Sequence, residues 1–139
     1  MPAFMKHRLI LASLSILLGC TTNSTFDTSA NMNWTLESCE ISHDDSYAIT
    51  NVAVEDNRVN IGVSYSGGCE PHDWELCWNG DVAESSPIQV FLDLGHNANG
   101  DSCEMEKTET LSFDISILDD VEKPTTIVVG GSTVTYGAE

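Results

Sequence analysis

Two short stretches of this sequence gather the side chains best able to do chemistry. Ser66-Gly67-Gly68-Cys69-Glu70-Pro71-His72 carries a thiol and an imidazole three positions apart. Gly95-His96-Asn97-Ala98-Asn99-Gly100-Asp101-Ser102-Cys103 carries the same two groups in the opposite order. Such a set can be a Cys69–Cys103 disulfide with the histidines as polar neighbours, closing a loop of roughly 35 residues for a stabilisation of about 2–4 kcal/mol. It can instead be a tetrahedral Zn2+ site built from Cys69, His72, His96 and Cys103 as thiolate and imidazole ligands. A third possibility is a Cys–His nucleophile, which needs a free thiolate beside a base. Six residues separate His96 from Cys103, a looser spacing than compact zinc motifs use. The disulfide is therefore the expected state, no cofactor is expected, and zinc is the alternative.

All three readings require the two stretches to share one end of the fold. The flanking sequence supplies elements that do this. Val59, Ile61, Val63 and Tyr65 alternate with Asn60, Gly62 and Ser64, and Trp74, Leu76 and Trp78 alternate with Asp73, Glu75 and Cys77. Ile88–Leu94 and Leu111–Ile117 repeat the period of two. Each run has one apolar and one mostly polar face, as half-buried antiparallel strands do. Weaker runs lie at Trp34–Ile41 and Tyr47–Val54. Gly130-Gly131-Ser132 between two β-rich runs signals a hairpin. Pro87 and Pro124 stand where strands begin, a position that tolerates proline. About eight short strands and no helical period predict an all-β fold, an antiparallel Ig-like β-sandwich with a small β-barrel as alternative. In successive antiparallel strands, loops 66–72 and 95–109 fall at the same end. That order predicts the Cys69–Cys103 pair.

Other polar motifs carry less. Asn97-x-Asn99-Gly100-Asp101 followed by Glu106 partly matches a Ca2+ loop, but its first ligand position falls on Gly95, so it reads first as a polar turn. Trp74 and Trp78 share an apolar face and are expected in the core. No Gly-x-Ser-x-Gly elbow, phosphate loop or zinc-protease helix appears. Nothing in the sequence predicts catalysis.

The 139 residues carry 5 Lys and Arg against 22 Asp and Glu, a formal charge of −17. That excludes nucleic acid as an expected partner, because phosphate binding needs a basic face. Hydrophobic residues make up 41% of the chain, enough for one buried core. The acids are scattered, which suits a solvated, soluble surface; a basic protein is the partner such a charge would favour.

The N-terminus has its own pattern. Lys6, His7 and Arg8 precede the apolar stretch Leu9–Leu18, which ends in Leu17-Leu18-Gly19-Cys20. The stretch is shorter than the roughly 20 residues a spanning helix needs and has the order of an export signal. Its end resembles the lipobox of bacterial lipoproteins. The resemblance implies cleavage after Gly19 and a lipid anchor on Cys20. It divides the chain into a signal peptide (1–19), a lipidated cysteine with a flexible polar tether (20–32) and a single β domain (33–139). Cleavage would remove Lys6 and Arg8 but no acid, leaving Arg58, Lys107 and Lys123 against 22 acids, a charge of −19. Thr21 stands where an Asp would resemble an inner-membrane retention signal, so the outer membrane is the expected location. Four cysteines then remain in an oxidising space, and by elimination Cys39 is expected to pair with Cys77.

The arrangement Ser66-Gly67-Gly68-Cys69-x-x-His72-x-Trp74-x-Leu76, with His96, Cys103 and Leu111–Ser116 further on, resembles a pattern in small bacterial envelope lipoproteins. It implies a grouping and no mechanism. The expected role is an envelope lipoprotein acting as a structural or binding module. The alternatives are a metal-binding lipoprotein or a capture module for a basic protein. Cys20→Ser is expected to abolish lipidation and move the protein out of the membrane fraction, because two acyl chains supply the membrane affinity; fractionation with normal membrane retention of the mutant would refute the anchor.

Overall fold

A computed structural model describes residues 44–138. The signal, the tether, Cys20, Trp34 and Cys39 lie outside them. Eight strands follow in chain order: β1 (Ala48–Glu55), β2 (Arg58–Gly67), β3 (Asp73–Cys77), β4 (Val82–Ala83), β5 (Ile88–Asn97), β6 (Met105–Asp114), β7 (Thr125–Val129) and β8 (Ser132–Tyr136). They form two sheets. One has the order β1-β2-β6, and the other has the order β3-β5-β7-β8 with β4 also paired to β5. The fold is a β-sandwich, as the period of two predicts, and no closed barrel forms.

The core lies where the alternating faces meet. Val59, Ile61, Val63, Leu111 and Phe113 from the first sheet pack with Trp74, Leu76, Val90, Leu92, Leu94, Ile127 and Val129 from the second. Trp78 is half-buried at the margin of this cluster, its indole N–H donating to the Asp81 carbonyl at 2.9 Å. The β7–β8 hairpin closes through Gly130-Gly131, with Val129 opposite Ser132 and φ values of 54° and 79°. Both values lie in the left-handed region that a tight primed turn demands. A Cβ on Gly130 would also meet the tip of the Ile49 side chain.

Three details depart from the sequence expectation. First, β5 and β7 pair in parallel, from Ile88 opposite Thr125 to Leu92 opposite Val129. The chain leaves β5, crosses to β6 in the other sheet, and returns beside β5 in the same direction. Second, the strand predicted through Ile117 stops at Asp114. The Asp114 carboxylate accepts the Ser116 N–H at 2.8 Å, which turns the chain into a short 3-10 segment at Ser116–Leu118. Leu118 is buried in the core as a result, whereas Ile117 is half exposed. Third, Cys77 belongs to the alternate face of β3 and is nevertheless fully buried. Its expected pairing with Cys39 lies outside the described residues.

Ile61→Ala removes a fully buried side chain at the centre of β2. It should cost about 2–5 kcal/mol in urea unfolding. Phe91→Ala, half exposed on β5, should stay within about 0.5 kcal/mol of the parent.

Candidate functional site

Both connections that carry chemistry cross from one sheet to the other at the same rim. Residues 68–72 lead from β2 to β3, and residues 98–104 lead from β5 to β6. The shared rim agrees with expectation, although β2 and β6 are neighbours in one sheet and β3 and β5 in the other. Cys69 and Cys103 are joined in a disulfide, with Cα atoms 5.8 Å apart. The sulfurs are thus bonded to each other, and neither is a thiolate ligand or nucleophile. The ring nitrogens of His72 and His96 approach within 2.7 Å. Two nitrogens bound to one tetrahedral zinc would stand about 3.3 Å apart, given zinc–nitrogen bonds of about 2.0–2.1 Å. The four-residue zinc set is therefore corrected to a disulfide beside a histidine pair.

The residue around which the rim is built is Asp101, which sequence reasoning placed in an ordinary polar turn. Its side chain is fully shielded from solvent. One carboxylate oxygen accepts the backbone N–H groups of Gly68, Cys69 and Glu70 at 2.8, 3.0 and 3.0 Å. The other accepts the Cys103 N–H at 2.8 Å. The three successive N–H groups form a concave nest of the kind that holds anions, and the chain fills it with its own carboxylate. The Glu70 and Cys103 N–H bonds lead in holding the Asp101 pKa far below the ordinary carboxylate value, with those from Cys69 and Gly68 adding to them. His72 Nε2 completes the set at 3.2 Å. A carboxylate only accepts, so His72 carries a proton on that nitrogen.

Close approach explains Gly67. A Cβ there would lie 2.6 Å from His72 Nε2 and 3.0 Å from Asp101 Oδ2. Asn99, at φ 53°, donates from its amide to the Pro71 carbonyl at 2.8 Å and to the Asp73 carboxylate at 2.9 Å. The Asn99 amide and the Asp101 carboxylate are thus both used in joining the two connections.

Behind this shell lies an aromatic cluster. His96 stacks on Trp74 with ring centres 4.0 Å apart and planes 10° from parallel. Tyr65 contacts His72, Trp74 and His96, with centres 4.5, 5.4 and 5.4 Å away. Tyr47 meets Trp74 and His96 edge-on, and its hydroxyl donates to the Leu94 carbonyl. Glu109 of β6 reaches across to the other sheet and accepts the Trp74 indole N–H at 3.0 Å. Burial, aided by Glu109, pushes the Tyr65 pKa up to about 12. Beside the cluster a shallow groove of about 430 Å3 is lined by Tyr47, Tyr65, Glu104, Glu106 and neighbouring serines.

A disulfide-stapled rim on a β-sandwich defines a small all-β domain. Residues 31–139 match the NigD-like C-terminal beta sandwich domain, and the chain belongs to that family. Among solved structures, it is similar to a NigD-like immunity protein from Bacteroides caccae ATCC 43185, with 19% identity over 76% of this chain and 58% of that one and a TM-score of 0.54. It is also similar to a protein described as toxin related from Parabacteroides distasonis ATCC 8503, with 21% identity over 75% and 59% of the two chains and a TM-score of 0.48. The chain thus spans less than two thirds of the length of either structure. No curated protein matches it.

Asp101→Asn keeps the shape but replaces one acceptor oxygen with a donor facing N–H groups. It should lower the melting temperature at pH 7. Because the folded pKa of Asp101 is depressed, its contribution is present above the unfolded value of about 3.9 and is lost as pH falls through the folded one. The parent should therefore lose stability on acidification below about pH 4, and the variant should lose less over the same window. Parallel acid limbs for the two proteins would show that Asp101 is not the coupled group.

Proposed function

We propose that this protein is a non-catalytic binding module of the bacterial envelope, anchored to the outer membrane through a lipid on Cys20 and serving as an immunity factor against a basic protein toxin. The observation that carries the non-catalytic part is the state of the rim. The two sulfurs are bonded together, and Asp101 is held by four backbone N–H groups. His72 and His96 are bonded to each other. General acid–base or nucleophilic chemistry needs such groups open to a substrate.

The immunity reading draws on the B. caccae relative, an immunity protein of the same sandwich fold. The choice of a basic partner draws on charge. The chain has 22 acids, and two of its few strong bases are tied down internally. Arg58 donates to Ser112 at 2.9 and 2.8 Å, and Lys123 donates to the Leu118 carbonyl while lying 4.0 Å over the Tyr136 ring. A basic partner would be steered to such a surface and would be released by salt. The groove between Tyr47, Tyr65, Glu104 and Glu106 offers carboxylates and ring faces to a lysine or arginine side chain.

Deletion of the gene should make cells sensitive to a secreted toxin of closely related producers, and re-expression should protect them. The Cys20→Ser form should protect poorly, because it is no longer held at the membrane. Unchanged survival of the deletion strain against a panel of producers would overturn the immunity reading.

A further inference from the structure

His96 lies in a continuous file of polar atoms. Its Nδ1 is 3.1 Å from the Asp45 carbonyl oxygen. Its Nε2 is 2.7 Å from His72 Nδ1, and His72 Nε2 is 3.2 Å from the Asp101 carboxylate. The two ends of the file, a carbonyl and a carboxylate, can only accept. Three hydrogen bonds between two acceptors through four ring nitrogens need three protons, whereas two neutral imidazoles carry two. The file as it stands is complete only when the pair holds one extra proton.

When that proton is absent, one contact must fail, and the chemistry decides which. The Asp101 carboxylate keeps the His72 Nε2 proton, because a bare nitrogen facing a buried anion is the worst arrangement available. His72 Nδ1 is then an acceptor, and His96 spends its single proton on it. His96 Nδ1 is left with a lone pair aimed at the Asp45 carbonyl. The contact that fails is the one to Asp45.

Asp45 lies just before β1. Its N–H donates to the His96 carbonyl at 3.1 Å, and its carboxylate accepts the Ala98 N–H at 2.7 Å. We propose that His96 is a proton-operated latch, closed by acid, on the Asp45 segment that leads into β1. The charged form is supported by the Trp74 face stacked on its ring, by Asp45 and by Glu109 of β6. It is opposed by burial among Tyr47, Tyr65 and Trp74 and by any charge on His72. Burial prevails and lowers the His96 pKa, while the Asp45 carbonyl draws it back up. The latch therefore closes only at a pH below the ordinary histidine value of about 6.5, and it is open at that value and above.

The test is a pH titration of the full chain in detergent micelles, following the histidine ring nitrogens by 15N NMR and the backbone amides by hydrogen exchange corrected for intrinsic rates. On the acid side His96 should carry protons on both nitrogens. Above the transition it should keep Nε2–H and lose Nδ1–H, and protection of the Asp45 and Ala98 amides should drop by about tenfold, the equivalent of one hydrogen bond. In His96→Gln the same amides should show no transition. A neutral His96 that retains Nδ1–H, or amide protection that stays flat through the His96 titration, would overturn the latch. If the glutamine variant does not fold, the ring tautomer and the amide protection of the parent still decide.

Discussion

A buried carboxylate must find donors, and in this protein that requirement shapes a whole end of the molecule. Asp101 sits in the connection from β5 to β6, far in sequence from all its backbone donors but Cys103. The N–H groups that satisfy it belong to Gly68, Cys69 and Glu70 in the connection from β2 to β3. Those bonds wrap one crossover around the other. Leaving the carboxylate unpaired in that position would be costly, so the two crossovers are held together whenever Asp101 is ionised. The Cys69–Cys103 disulfide fixes the same contact covalently. It also limits the separation of these loops in the unfolded chain. Polar and covalent constraints act on one junction, and the exact positions of His72 and His96 follow from it.

The junction also determines how the sheets meet at that end. Below it, the sandwich closes by ordinary apolar packing of Ile61, Val63, Leu76 and Leu94. Near the rim, β3 and β5 bring Trp74 and His96 inward, where aliphatic side chains would otherwise be expected. A buried indole N–H and a buried imidazole need partners. Glu109 answers for Trp74 from the opposite sheet, and His72 and Asp45 answer for His96. The upper core is thus a polar network between aromatic plates. Such networks stabilise a fold only when every member is satisfied, and here no buried side-chain polar atom among the described residues lacks a partner.

Much of this architecture is written locally in the sequence. Period-two alternation locates β2, β3 and β5, and Gly130-Gly131 locates the final hairpin, because those signals depend only on near neighbours. The Cys69–Cys103 pair is also legible, since export favours disulfides and strand order brings both loops to one end. The anchor of the rim is not. Asp101 follows Asn99-Gly100, a sequence that explains itself as a turn, and nothing nearby shows that its carboxylate faces inward. Three of its donors lie more than thirty positions away. The parallel β5–β7 pair was hidden for a similar reason: strand direction depends on the path between sheets, and alternation does not carry that path. The stop at Asp114 was in principle readable, since an Asp two positions before a Ser is a turn signal, but the apolar positions Ile115 and Ile117 continued the period and masked it.

Stiffness at this rim bears on what the protein can recognise. Binding by a small domain is limited by the entropy lost in ordering loops and side chains. A long connection such as residues 98–104 would normally be among the most mobile parts of a β-sandwich. Here Asn99, Asp101 and Cys103 are each tied to the neighbouring crossover or its disulfide partner, so that cost is met during folding. What stays exposed is the acidic side-chain layer around the junction, including Glu70, Glu104 and Glu106. Long carboxylate side chains on a rigid base can adjust to a basic surface without reordering the backbone beneath them. On the proposed reading such a surface favours fast, salt-sensitive capture of a basic partner, while Cys69, His72 and Asp101 are engaged with one another and the backbone beneath it.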